Sequence, residues 1–238
     1  GGASLVGVEH VLVTHAHPDH LNPAVLLAHA WAVDGRPLHV WGPAHAIDLC
    51  RPWLGPDAAV DLRVARPGDV LVLSTDGGDY TVTVLPAEHH HGDGDALAAE
   101  ALVFVVTAPD GHRLLYATDT GPLPASTIAA IGGRVDLALV DETFGDLHAH
   151  GRGHLDLASL PVILAALRAA DVVDDRTLVA ATHLSHHNPP ADVLRARLGR
   201  LGVHLPDDFD VLDTSFPGGL RPGRTLVLGG ARSGKSTR

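Results

Sequence analysis

Val11-Leu12-Val13-Thr14-His15-Ala16-His17-Pro18-Asp19-His20 is the stretch on which the fold turns. Val11–Thr14 is apolar and β-branched enough to be a strand, and its last residue leads straight into four metal-competent side chains within six positions. In the extended segment after a strand, His15 and His17 are two apart and can point the same way, while Asp19 and His20 begin the following turn and can face a neighbouring ion. That spacing suits two metals better than one. A single histidine here would be an ordinary surface-loop residue. A whole H-x-H-x-D-H string at the end of a buried strand is costly to place without a purpose.

Outward from this loop, short β-rich runs alternate with Gly/Pro punctuation. Val11–Thr14, Leu38–Trp41, Val70–Leu73, Tyr80–Leu85, Leu102–Thr107, Arg113–Ala117, Val135–Val140 and Thr177–Thr182 read as strands. Helical periodicity appears at Pro23–Trp31, at Ala158–Ala170 with Leu160, Ile163, Leu164 and Leu167 on one face, and at Ala191–Leu201 with Val193, Leu194, Leu198 and Leu201. Tyr80–Leu85, Leu102–Thr107 and Arg113–Ala117 follow one another without a helix, and Pro109-Asp110-Gly111 supplies a turn between the last two. An antiparallel stretch inside an otherwise alternating βα pattern predicts an α/β fold with a mixed sheet.

Composition narrows the function classes. The chain has 238 residues, 45% of them apolar and 19% charged, which describes a globular chain. Its apolar runs fall short of the roughly 20 residues of a bilayer span, and no charged-then-apolar leader opens the sequence, so a cytoplasmic setting is expected. Seventeen Lys+Arg against 28 Asp+Glu leave a net charge of −11, which disfavours a polyphosphate partner. Cys50 is the one cysteine, so there is no internal disulfide and no thiolate cage. Any metal must be held by nitrogen and oxygen, and histidine is abundant at 18 copies.

The H-x-H-x-D-H string at a strand end resembles the metallo-β-lactamase fold hydrolases, an αββα sandwich. Such proteins are expected to add a third histidine after a later strand, a bridging aspartate and a final histidine. Pro86-Ala87-Glu88-His89, Thr118-Asp119-Thr120-Gly121 and His183 arrive in that order, each just past a predicted strand. The resemblance implies that His15, His17 and His89 hold one ion and Asp19, His20 and His183 the other, with Asp119 bridging. His90 and His91 compete with His89 for its role, which the Pro-x-x-His context favours for His89. Two divalent ions are implied: zinc fits the N/O set, and manganese or iron fits an Asp-bridged pair nearly as well. Leu115–Pro124 and Thr182-His183-Leu184-Ser185-His186 look most like the cyclic-phosphate phosphodiesterase branch, related to ribonuclease Z. That likeness implies a small phosphate ester as substrate. Asp19 then counts among the catalytic residues beside a proton-donating histidine, His154 first and His186 second. A thioester, a lactone or an RNA 3′ end is the competing substrate class. Family members carry strands ahead of this loop, and about ten residues precede it here. An N-terminally truncated domain is therefore expected, with an open sheet edge that invites a second copy.

The far end has a motif of its own. Past Asp213 the composition shifts to a Pro/Gly linker, placing a boundary near residue 217 and a hydrolase domain over residues 1–216. Residues 217–238 then hold a strand feeding Gly229-Gly230-Ala231-Arg232-Ser233-Gly234-Lys235-Ser236, a P-loop pattern. Gly229 and Gly234 would shape a phosphate cradle, with Lys235 and Ser236 serving ATP or GTP and magnesium in a longer parent protein. This string looks like the opening of the adenosylcobinamide kinase/guanylyltransferase of cobalamin biosynthesis. With Gly1-Gly2 at the start and no methionine anywhere, the sequence reads as an excised piece of a bifunctional protein.

Overall fold

A computed structural model describes residues 7–32, 37–89, 100–149, 152–207 and 212. The chain divides into two compact units. Among the described residues, the first takes those up to Pro67 with residues 100–102, and the second those from Gly68 to His89 and from Val103 onward.

The first unit is a βαβαβ run. β1 (His10–Leu12), β2 (Leu38–Gly42) and β3 (Val60–Val64) form a three-stranded parallel sheet in sequence order. The crossovers carry α1 (Pro23–Ala32) and α2 (Ala44–Cys50), as parallel strands require. Asn22 starts α1, its Oδ1 accepting a hydrogen bond from the Ala24 N–H at 3.1 Å, and Pro23 takes the first helical position, where no donor is missed. Val13, Leu26, Leu38, Val40, Ile47 and Cys50 form the core. Burial pushes the Cys50 thiol up to about 11, which leaves it an inert core residue. β3 and α2 were not expected from the sequence. Val60-Asp61-Leu62-Arg63-Val64 alternates as a one-faced strand should: its aliphatic side chains pack on the core, and Arg63 pairs with Asp61 on the other face at 2.5 Å.

The second unit holds a seven-stranded mixed sheet. β4 (Val70–Thr75), β5 (Gly78–Pro86), β6 (Leu102–Thr107), β7 (Arg113–Ala117), β8 (Leu137–Asp141), β9 (Leu178–Thr182) and β10 (Val203–His204) lie in the order β10-β9-β8-β7-β6-β5-β4. β4 and β5 make a hairpin closed by Asp76-Gly77, and β6 and β7 are antiparallel as the sequence predicts. From β7 to β10 neighbouring strands are parallel. Between them run α3 (Ala125–Ala130), α4 (Leu160–Ala169) and α5 (Ala191–Gly199).

Helix α4 buries the four predicted residues, Leu160, Ile163, Leu164 and Leu167. Asp156 marks its approach, its Oδ1 accepting from the N–H groups of Ala158 and Ser159. Helix α5 buries Leu194 and Leu198, but Val193, expected on the same face, is exposed. Leu194 and Leu198 are four residues apart and share the side of the helix that joins the core, whereas Val193 is turned about 100° from Leu194. The consequence for function is geometric. β7, β8 and β9 run in one direction, so their carboxyl ends, and the residues just past them, gather on one edge.

Candidate metal centre

In the first unit, β1 leads into the His15–His20 loop. His20 N–H and Leu21 N–H both bond the His17 carbonyl at 2.9 Å, and Leu21 anchors the turn in the core. This curls the segment so that three imidazoles meet. His15 lies 4.7 Å from His17 and 4.3 Å from His20 between ring centroids, with His15 Nε2 3.0 Å from His17 Nδ1. Thr14 Oγ1 sits 3.0 Å from His15 Nδ1 and orients the ring. Asp19 Oδ2 is 3.6 Å from His20 Nε2. All four predicted ligands of the loop thus cluster within their own unit.

In the second unit, Asp119 follows β7, Asp141 ends β8 and His183 follows β9. Asp119, Asp141, His154 and His183 each offer a donor atom, all within 4.8 Å of one another. Asp119 and His183 hold φ of 56° and 59°, the left-handed region that costs a non-glycine residue roughly 1–2 kcal/mol. Such strain persists only where the surroundings over-determine it.

The surroundings do. Thr143 Oγ1 lies 3.0 Å from both Asp141 carboxylate oxygens, 2.8 Å from His183 Nδ1, 3.2 Å from His154 Nδ1 and 3.0 Å from the His183 carbonyl. Asp141 Oδ1 also accepts the Leu155 N–H at 2.8 Å, tying the His154 segment to β8. A histidine whose Nδ1–H is engaged in this way keeps its Nε2 lone pair for a metal. His183 Nε2 lies 3.7 Å from Asp119 Oδ2.

His154 enters from the segment that crosses Gly121. A Cβ at Gly121 would overlap the Arg152 carbonyl oxygen, so only glycine lets that backbone pass. His154 Nδ1 is 2.9 Å from Asp119 Oδ1 and 3.1 Å from Asp141 Oδ2. His89 is buried, its Nδ1 3.0 Å from the Gly153 carbonyl and 3.3 Å from Asp119 Oδ1.

Two buried carboxylates face this cluster, and the imidazoles respond. Burial opposes a charge on His154, yet its hydrogen bonds to Asp119 and Asp141, with their charges, prevail and raise its pKa to about 9. His183 shifts the same way against its own burial, chiefly through Asp141. Burial would push the Asp141 carboxyl up, but the two histidines hold it below the usual range. Next to it, burial and the Asp141 charge push Glu142 up to about 8. A cluster of nitrogen and oxygen donors this acidic, crowded and buried fits a divalent cation, and zinc, manganese and iron all accept the set.

Of the predicted residues, His89, Asp119, His154 and His183 come together in the second unit. His186 is exposed, its ring 3.9 Å from that of His187. His90, His91, Gly229, Gly234, Lys235 and Ser236 lie outside the described residues. The sequence reading missed Asp141 and Thr143. The signal was present: the strand predicted as Val135–Val140 stops one residue short of an aspartate at its carboxyl end.

Comparison with known proteins agrees with this geometry. In fold the chain is similar to a diphosphatase of the PhnP family, with TM-score 0.61 and 17% identity over 84% of this chain and 69% of that one. It is similar also to the metallo-β-lactamase fold protein YhfI of Bacillus subtilis, with TM-score 0.61 and 16% identity over 83% and 75% of the two chains. A third likeness is to the short form of human tRNase Z, with TM-score 0.56 and 16% identity over 85% and 76%. No curated protein matches the chain. The Beta-lactamase superfamily domain matches residues 2–184, a span holding the His15 loop, Asp119, Asp141, His154 and His183. With that match over most of its length, and with a mixed-sheet α/β fold gathering His and Asp at strand ends, the chain belongs to the beta-lactamase superfamily and has the metallo-β-lactamase fold.

Proposed function

We propose that this protein is a metal-dependent phosphoesterase acting on a small cyclic or linear phosphodiester. The observation that carries the proposal is the convergence of Asp119, Asp141, His154 and His183 in the second unit. Support for the substrate class comes from the PhnP-family diphosphatase among the similar structures and from the Leu115–Pro124 and Thr182–His186 strings. A net charge of −11 favours a small ester over RNA.

In this reading His15, His17, Asp19 and His20 of the first unit would hold divalent metal, as would His89, Asp119 and His183 of the second. Divalent ions at such a centre supply Lewis acidity toward the phosphoryl oxygens and a water acidic enough to ionise near neutral pH. The chain's own residues then divide the remaining work. Thr143 and Asp141 fix the His183 ring through its Nδ1 face. Asp141, with Asp119, faces Nδ1 of His154, keeps that ring protonated and makes it the proton donor to the departing alkoxide. His186 is the alternate donor, closer to solvent.

Metal analysis of purified protein tests the proposal, together with turnover of cyclic nucleotides and bis-aryl phosphates. Two ions per chain and metal-dependent hydrolysis are expected. Asp119→Ala and His183→Ala should each lose bound metal and lower kcat by about 100-fold or more. Unchanged metal content and turnover in both variants would sink the reading. The Gly229–Ser236 pattern is proposed on its sequence alone as a nucleotide site of a cobalamin-pathway kinase fused to this domain. ATP binding by a chain extended past Arg238 tests it.

A further inference from the structure

We infer that Asn188 is a positioning residue of the metal centre: its side-chain amide fastens the segment after β8, which carries Thr143 next to Asp141, to the loop that carries His183. The inference rests on the metal-centre reading above. Asn188 lies five residues past His183, after the Leu184–His187 turn, and its own N–H closes that turn on the Ser185 carbonyl at 3.2 Å. Its Nδ2 donates to two consecutive carbonyls of the other loop, Glu142 and Thr143, at 3.0 Å each. Ser185 Oγ donates to the same Thr143 carbonyl at 2.5 Å and accepts the His187 N–H at 3.2 Å. From the other direction, the Glu142 N–H bonds the Thr182 carbonyl at 3.0 Å.

These bonds bracket His183 on both sides. Thr182 is tied to Glu142 just before it, and Ser185 and Asn188 are tied to Thr143 just after it. His183 itself sits at φ 59°, where a β-substituted residue relaxes unless held. The bracket also sets where Thr143 stands, and Thr143 Oγ1 is the atom 2.8 Å from His183 Nδ1. Close packing reinforces it. Gly145 has φ 54°, and a Cβ there would lie 2.8 Å from both Asn188 Cα and the His187 carbonyl oxygen. The two loops therefore touch backbone to backbone, with Asn188 between them and no room for a larger clasp.

No donor other than an amide or a cation could serve two carbonyl oxygens from this position, because a carboxylate of the same shape offers only acceptors. That fact supplies the test. Asn188→Ala and the isosteric Asn188→Asp are made in the full chain. Zinc affinity is measured by chelator competition, and the His183 ring is observed in metal-free protein by two-bond 1H–15N correlation. In both variants affinity for one of the two ions should fall about 10- to 100-fold while the other ion holds. The His183 ring should pass from a single Nδ1–H tautomer to a mixture, and far-UV circular dichroism should stay that of the wild type. Retained zinc affinity with an unchanged tautomer pattern in Asn188→Asp would overturn the inference, as would loss of secondary structure in Asn188→Asp. Failure of the wild-type chain to bind zinc would instead overturn the metal-centre reading.

Discussion

Thr143 concentrates the residue-scale argument. A hydroxyl has one proton and two lone pairs, yet Thr143 Oγ1 has five acceptor or ring atoms within 3.2 Å, on Asp141, His154 and His183. It is placed to hold both imidazoles by their Nδ1 faces while leaning on the carboxylate behind them. Thr143→Val keeps the shape and removes these bonds. Metal affinity should drop about 10- to 100-fold, Thr143→Ser should restore most of it, and chelator competition measures both. Glu142 next door gives a prediction with a sign. Its folded pKa of about 8 stands above its ordinary value of 4.5, so between those limits the native state binds more protons than the unfolded chain. Stability from this group is therefore lost as pH rises from about 4.5 to 8. Glu142→Gln should flatten that slope, leaving the metal-free variant more resistant to urea than wild type at pH 8 and little changed at pH 5. Parallel pH profiles for the two proteins would refute the assignment.

At the scale of elements, the second unit works because β7, β8 and β9 are parallel and end together. Their carboxyl ends present Asp119, Asp141 and His183 without any long excursion. The crossing segment that brings in His154 depends on Gly121. Gly121→Ala should destabilise the protein by about 3 kcal/mol and abolish metal binding, because the added methyl meets a backbone carbonyl that cannot move aside cheaply. Calorimetry and metal analysis read the two effects separately. Helix α4 supports the sheet from one face, and Leu164 is fully buried against it. Leu164→Ala should cost about 2–5 kcal/mol, measurable by urea titration, while His154 and His183, anchored by hydrogen bonds rather than by this helix, keep their places and metal affinity is retained at low temperature.

For the whole molecule, Asp119, Asp141, His154 and His183 of the second unit come from segments distant in sequence, so metal bound there would be linked to folding. An ion that binds the native state alone adds about 2.7 kcal/mol when present at a hundred times its Kd. That amounts to a rise of about 5–10 °C in Tm for a chain of this size. Thermal melts with zinc and with chelator should differ by this much, and coincident melts would show that the native state holds no metal. Among the described residues no helix is long and apolar enough to cross a membrane, in keeping with the short apolar runs of the sequence.

The sequence by itself determined the fold class, the buried face of α4 and the directions of β6 and β7, because these depend on local pattern: a strand ending in H-x-H-x-D-H, aliphatic spacing in α4, a Pro-Asp-Gly turn. It left out β3, α2, α3, β10, Asp141 and Thr143. Val60–Val64 is too short and too charged to announce itself until a parallel neighbour pairs with it. Asp141 is signalled only by its place at the carboxyl end of a predicted strand, and Thr143 is ordinary turn chemistry as sequence. Only the tertiary structure set Asp141 beside His154, put Thr143 under two imidazoles and left His183 in a left-handed conformation, because each of these follows from strands and loops distant in sequence meeting at one edge of a sheet.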